Sequence, residues 1–191
     1  MKPLTKVILV LGAILVFFGI GNLSLPAEPV EETTTLDKTN TYPYSTELGG
    51  IYCTMPLKEV IEKFGEDYKV LYEPLLGEGM PPAWCIAYND PSGKASILIN
   101  TGAENKSDAD RVGSITLSVK PIPGAPEAEI SFLNKGTARG VKLGTTMAEV
   151  KRLYPEIDEW YYSQVSPDCP FFVEFWFYDK KVVKIFSGYS P

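Results

Sequence analysis

One run of residues occurs in two versions and constrains this chain more than anything else in it. Gly140-Val-Lys-Leu-Gly-Thr-Thr-Met-Ala-Glu-Val-Lys-Arg-Leu-Tyr154 reads as a short strand, a glycine turn and a capped helix. Gly50-Ile-Tyr-Cys-Thr-Met-Pro-Leu-Lys-Glu-Val-Ile-Glu-Lys-Phe64 reads the same way, 90 residues earlier. With that shift Gly50 falls on Gly140, Ile51 on Val141, Leu57 on Met147, Glu59 on Glu149, Val60 on Val150 and Phe64 on Tyr154. Few of these are identities. The order of residue types is what repeats, and a pattern recurring at a fixed spacing is the usual mark of a duplicated unit.

Each copy carries its own helix signals. In the first, Leu57, Val60, Ile61 and Phe64 fall on one face, with Lys58, Glu59, Glu62 and Lys63 on the other. Pro56 suits the first helical turn, where a missing N–H costs nothing, and Gly65 suits the exit. In the second, Thr146-Met-Ala-Glu149 has the capping-box form. Met147, Val150, Leu153 and Tyr154 make the apolar face, and Pro155 ends the helix. Glu59 and Glu149 are first-turn carboxylates that complement the helix dipole, which explains them without any chemistry.

Strand patterns follow each helix: 83–88, 94–100 and 112–119 in the first half, then 159–165, 171–178 and 181–186 in the second, with Asp179-Lys180 as a tight hairpin turn. Residues 68–75 suggest a further strand, and the Pro-rich stretch 121–126 joins the halves. The expected fold class is therefore α+β: two tandem units, each a short helical segment packed on an antiparallel β-meander. The units are expected at 48–126 and 127–191, with the helices covering one face of the sheets and solvent on the other.

The totals exclude several functions. Net charge is −6 and the pI is about 4.8, with no basic footprint for nucleic acid. The chain has no histidine, which removes His-based triads, His general bases and His metal ligands. Three scattered cysteines make a poor zinc site, and neither a metal nor a cofactor is expected. Lys2 and Lys6 precede an apolar run from Val7 to Ile20, so 1–25 is expected to be a signal peptide or an N-terminal membrane anchor. Either would make the rest extracytoplasmic, secreted or anchored to the cytoplasmic membrane, touching the membrane only through that segment. Residues 26–47 are acidic, rich in Thr and Pro and without apolar periodicity, and are expected to be a disordered tether.

Helix, then sheet, then the same again resembles the tandem units of β-lactamase inhibitory proteins. Single units resemble the small outer-membrane assembly lipoproteins of the SmpA/OmlA type. The Arg139-Gly-Val-Lys-Leu-Gly-Thr-Thr-Met-Ala-Glu-Val run is similar to the Arg-Gly-Ile-Lys-Ile-Gly-Asp-Ser-x-Glu-Glu-Val motif of many uncharacterised secreted bacterial proteins. The resemblance spans about residues 48–189 and implies a protein-binding scaffold without catalytic apparatus. The chain departs from it in lacking a lipobox cysteine, in Pro56 where a capping hydroxyl is expected, and in the long stretch 101–110 between two strands.

Strand alternation then separates the faces. Phe171, Val173, Phe175 and Phe177 share one side of the longest strand; Phe172, Glu174, Trp176 and Tyr178 share the other. Val183 and Ile185 are expected to face the core, with Lys184 and Phe186 opposite. In the first half Ser96, Asn100, Ser114, Thr116 and Ser118 make a polar outer face. The candidate binding surface is thus Phe172, Glu174, Trp176, Tyr178, Lys184 and Phe186, extended by Trp160 and Tyr162. The competing reading is a strand buried on both faces. The acidic stretch 101–110 lacks the spacing of a calcium loop and reads as a solvated hairpin tip. Cys53, Cys85 and Cys169 allow one disulfide, with Cys53–Cys85 the first choice because it lies within one unit. The reading is a non-enzymatic extracytoplasmic protein-binding or envelope-associated module with a protein partner at the cell envelope. The alternatives are a hydrolase using paired carboxylates, Glu174 with Asp179, or a purely structural envelope component.

Overall fold

The computed structural model of this protein describes residues 42–73, 82–157, 162–166 and 169–189. The expected signal or anchor segment, and the acidic stretch as far as residue 41, lie outside the described residues. Among the described residues no helix is long and apolar enough to cross a membrane.

Both turn–helix runs form, but the short strand expected at the start of each does not; Leu48, Ile51 and Thr137 make only isolated bridges there. Gly50 and Gly140 take left-handed φ values of 87° and 88°, a conformation glycine reaches without steric cost. The Leu48 amide and carbonyl both bond to Ile51, and Thr137 N–H donates to Val141 O at 2.8 Å. Leu48 also bridges to Thr137, so the two start turns lie side by side. Helix α1 spans Leu57–Phe64 and buries Leu57, Val60 and Phe64. Its N-cap is Pro56, one position ahead of the first helical turn and with no side-chain cap. Helix α2 spans Met147–Leu153, and the Thr146 hydroxyl accepts from Glu149 N–H at 3.3 Å. The Glu149 carboxylate turns to Arg152 at 3.4 Å, so only half of the expected capping box forms. Each helix start is pinned in the same manner: Leu57 N–H donates to Asp110 O at 2.8 Å, and Met147 N–H to Lys180 O at 2.9 Å.

The strands are β1 (Lys69–Glu73), β2 (Ala83–Asn89), β3 (Ser96–Asn100), β4 (Ser114–Ser118), β5 (Tyr162–Ser166), β6 (Cys169–Tyr178) and β7 (Lys181–Tyr189). They form one seven-stranded sheet in the order β1-β2-β3-β4-β7-β6-β5, with every neighbouring pair antiparallel. The expected α+β arrangement of two helix-on-meander units is therefore wrong. Among the described residues the fold is mainly β, a single sheet with two α-helices of 8 and 7 residues and a short 3-10 turn at Tyr44–Thr46. The cause is the pairing of β4 with β7, centred on Thr116 opposite Phe186. Both strands would otherwise be unpaired edges, and joining them satisfies a row of backbone groups. Alternation of polarity tells which face a residue takes; it does not tell which edge finds which.

One face of the sheet carries the core. Trp84, Ile86 and Tyr88 of β2, Ile97 and Ile99 of β3, Ile115 and Leu117 of β4, Val173 and Phe175 of β6, and Ile185 of β7 are buried against both helices, the start turns and Phe132. The tether expectation fails near its end. Thr46 is buried, its hydroxyl accepts Cys53 N–H at 2.8 Å, and its carbonyl accepts the Ser187 hydroxyl at 2.8 Å.

The second face is not simply solvated. Cys85, Ala87, Ser96 and Phe172 are buried yet stand outside the main core cluster. Part of the covering is the joining stretch 120–125. Ser96 donates to Lys120 O at 2.6 Å, the Asn89 amide donates to the carbonyls of Ile122 and Ala125, and Lys69 donates to Pro123 O. Cys85 and Cys53 lie on opposite sides of the sheet by the same criterion, since Cys53 belongs to the core cluster. They form no disulfide with each other, contrary to the first-choice pairing. Pairings through Cys169 involve a side chain outside the described set.

Candidate functional surface

Strand β6 changes character along its length. At Phe172 and Val173 it is buried on both faces, the two residues being 5% and 1% exposed. Trp176 is half-buried, and Tyr178 at the hairpin tip is 78% exposed. Each competing reading of this strand thus holds for one half of it. Two-sided burial takes the beginning, and an aromatic surface is left at the end.

Cross-strand pairing sets what stands beside each residue. Glu174 lies opposite Phe186 on β7 and opposite Tyr162 on β5, whose side chain is outside the described set. Trp176 lies opposite Lys184, whose ammonium sits 4.3 Å from the indole centroid. That is a cation–π contact that keeps the Lys184 charge at the surface. Phe172 and Phe186 stack with centroids 5.4 Å apart. Gly188 makes room for this pair: a β-carbon there would come within 2.3 Å of Ser114 Cβ and 2.9 Å of Phe186 Cζ. Trp160 is outside the described residues.

A register shift follows Trp176, with Phe177 opposite Val182. The extra residue on β7 is Val183. As a result Val182, not the expected Val183, is buried in the core. Beyond it Asp179 and Lys180 take left-handed φ values of 48° and 59°, the pairing a two-residue hairpin turn requires.

Beside this hairpin lies a groove of about 490 Å³ lined by Thr146, Met147, Ala148, Lys151, Asp179, Lys180 and Lys181. Three lysines, Lys151, Lys180 and Lys181, therefore line one groove of a chain whose net charge is −6, while Lys184 stands with Trp176 on the face of the sheet away from the core. Sequence reasoning missed the groove, because it depends on Met147 N–H docking onto Lys180 O across a distance in sequence. The proposed carboxylate pair does not assemble. Glu174 and Asp179 stand five residues apart along an extended hairpin, roughly 16 Å at strand rise. That is too far to share a proton or a water.

Other motifs turn out to be structural. Arg139 lies over the Tyr154 ring at 4.6 Å, donates to Leu153 O at 3.4 Å and pairs with Glu156, clasping the end of α2 to its start turn. Burial pushes the Tyr154 hydroxyl up to about 12, against the Thr137 hydrogen bond and Arg139, which pull it down. Lys63 near the end of α1 donates to Gly50 O. In the stretch 101–110 the Asn105 side chain accepts from Ser107 N–H and donates to Asp108, so its polar groups satisfy one another. Among the described residues no three acidic or thiol groups converge on a point. Burial raises the Cys85 thiol to about 11, far from the thiolate that a nucleophile needs.

Comparison of the chain with protein-family models, with curated proteins and with solved structures finds no match. The resemblance drawn from the sequence is left to stand on its own motif, whose arginine serves here as a clasp.

Proposed function

We propose that this protein is a non-enzymatic, extracytoplasmic binding module that contacts a protein partner through the β6–β7 hairpin. The observation that carries this reading is the exposed Tyr178 beside the Lys184–Trp176 pair, next to the groove rimmed by Lys151, Lys180 and Lys181. Aromatic residues and cations over a small apolar floor are what interface centres are made of. Three lysines around one groove of an acidic chain fit a partner with an acidic contact surface, since opposite charge steers encounter and rejects wrong partners. The extracytoplasmic setting rests on Lys2, Lys6 and the apolar run that follows them. The resemblance to secreted binding scaffolds supports the same reading.

Capture of partners by the full chain, solubilised from the cell envelope, tests it. Replacing Trp176 and Tyr178 by alanine is expected to lower capture of the specific partner at least ~10-fold, the scale of losing one interface anchor. The thermal transition should stay within a few degrees of the parent. Undiminished capture by a folded double variant refutes the surface.

A further inference from the structure

Among the described residues β1 is the end strand of the sheet, and its sequence complements itself. Among the same residues it is the first in the sheet order and pairs only with β2. Its residues are Lys69-Val70-Leu71-Tyr72-Glu73. Val70 and Tyr72 are paired with Ile86 and Trp84, on the core side of the sheet, yet they are 41% and 59% exposed. An edge strand with open backbone groups and exposed apolar side chains is a template for a further strand. Natural edges are blunted by shortness, charged side chains, proline, bulges, inward charges or a covering segment. β1 is short and its two charged residues stand at its ends, but the three positions between them carry no charge and no proline, and its register with β2 has no bulge.

We propose that β1 pairs antiparallel with β1 of a second copy, about a two-fold axis through Leu71. In that register Lys69 faces Glu73 of the second copy, Val70 faces its Tyr72, and Leu71 faces Leu71. Both charge pairs are opposite in sign, and both apolar pairs join a β-branched residue to an aromatic one, a favourable cross-strand combination. Sliding the register by two residues puts Lys69 opposite Leu71 and loses both charge pairs. A slip of one residue turns Val70 and Tyr72 away from their counterparts. Only the centred register matches all five positions, which is the argument for a second copy over an unrelated strand. The Lys69 ammonium already donates to Pro123 O, and its remaining donors are available for Glu73 of the second copy. No described cation pairs with Glu73 in the single chain. Two five-residue strands make a small contact, below the roughly 1,000 Å² of a stable interface. The dimer is therefore weak and concentration-dependent.

Sedimentation of the full chain in non-ionic detergent, from about 5 μM to about 500 μM, reads the association directly. The parent is expected to shift from monomer to dimer across that range. Lys69→Glu and Glu73→Lys should each weaken the dimer at least ~10-fold through like-charge pairs, and the combined K69E/E73K swap should restore it to within about threefold. Val70→Lys is a second break at an exposed position that leaves the Lys69–Pro123 tie untouched. It should also weaken the dimer at least ~10-fold. A chain that stays monomeric throughout overturns the proposal. So does a dimer that Val70→Lys leaves intact, or a double swap no better than the single changes.

Discussion

Replacing Asp90 by alanine is expected to lower the unfolding free energy by about 3–5 kcal/mol, because it strips the acceptor from several buried donors at once. Asp90 follows β2 directly and is fully buried. One carboxylate oxygen accepts from Ser92 N–H at 2.9 Å and from the Ser92 hydroxyl at 2.6 Å. The other accepts from the Ser131 hydroxyl at 2.7 Å, Phe132 N–H at 2.9 Å and Leu133 N–H at 3.0 Å. Asp90 therefore ties the β2–β3 turn to the segment that seats Phe132 in the core. Burial by itself pushes the carboxyl pKa up, but the bonds from Ser92, Ser131 and Leu133 outweigh it and bring the value down to about 2.

The pH dependence follows from the sign of that shift. A folded-state pKa below the unfolded value near 3.8 means that the unfolded chain binds the proton more readily. The contribution is complete above about pH 5 and is lost as pH falls toward 2, for a total of about 2 kcal/mol. Asp90→Asn keeps the shape and removes this part of the acid sensitivity. Urea unfolding of parent and variant between pH 7 and pH 2.5 should show the stability gap narrowing as pH falls. A gap of constant size across that range refutes the role given to the charge.

Phe64→Ala is expected to cost about 3–5 kcal/mol, the range for deleting a large buried ring whose cavity cannot collapse. Phe64 closes α1 and is fully buried. Its ring lies 5.6 Å from Tyr88 and 5.9 Å from Phe132, centroid to centroid. It thus joins the helix, the sheet and the Asp90-anchored segment. Tyr88 is fixed on its other side, since its buried hydroxyl donates to Gly65 O at 2.8 Å. With Tyr88 and Phe132 held independently of Phe64, neither ring is free to move into the space. Phe64→Leu should recover about half of the loss. Calorimetry or urea unfolding decides it, and a loss below about 1 kcal/mol would show that the helix packs loosely against the sheet.

Local structure was legible where a short stretch decides it. Leu57, Val60 and Phe64 gave α1 by spacing, Thr146 marked the start of α2, and Asp179-Lys180 marked the last hairpin. The faces of β6 followed from alternation and hold in the structure. What the sequence withheld is non-local. Nothing in Ser114-Ile-Thr-Leu-Ser118 says that its partner is β7, and that one pairing turns two expected units into one sheet. The bulge at Val183 moves burial to Val182 and leaves no trace in the hydrophobic pattern. Asp90 looked like an ordinary turn residue because three of its five donors lie some forty residues away. The candidate surface was half legible. Trp176, Tyr178 and Lys184 were found from alternation, whereas the burial of Phe172 and the groove beside Lys180 depend on packing.

The binding claim for the β6–β7 hairpin meets its most direct test in a photo-crosslinking residue placed at position 178 of the full chain in intact cells, with the exposed position Lys94 as control. The account predicts one discrete adduct from position 178 and none of that mass from position 94. It also predicts that the adduct fades when Lys180 and Lys181 are both changed to glutamate. The same adducts from both positions, or an adduct at 178 indifferent to the lysine changes, would contradict it.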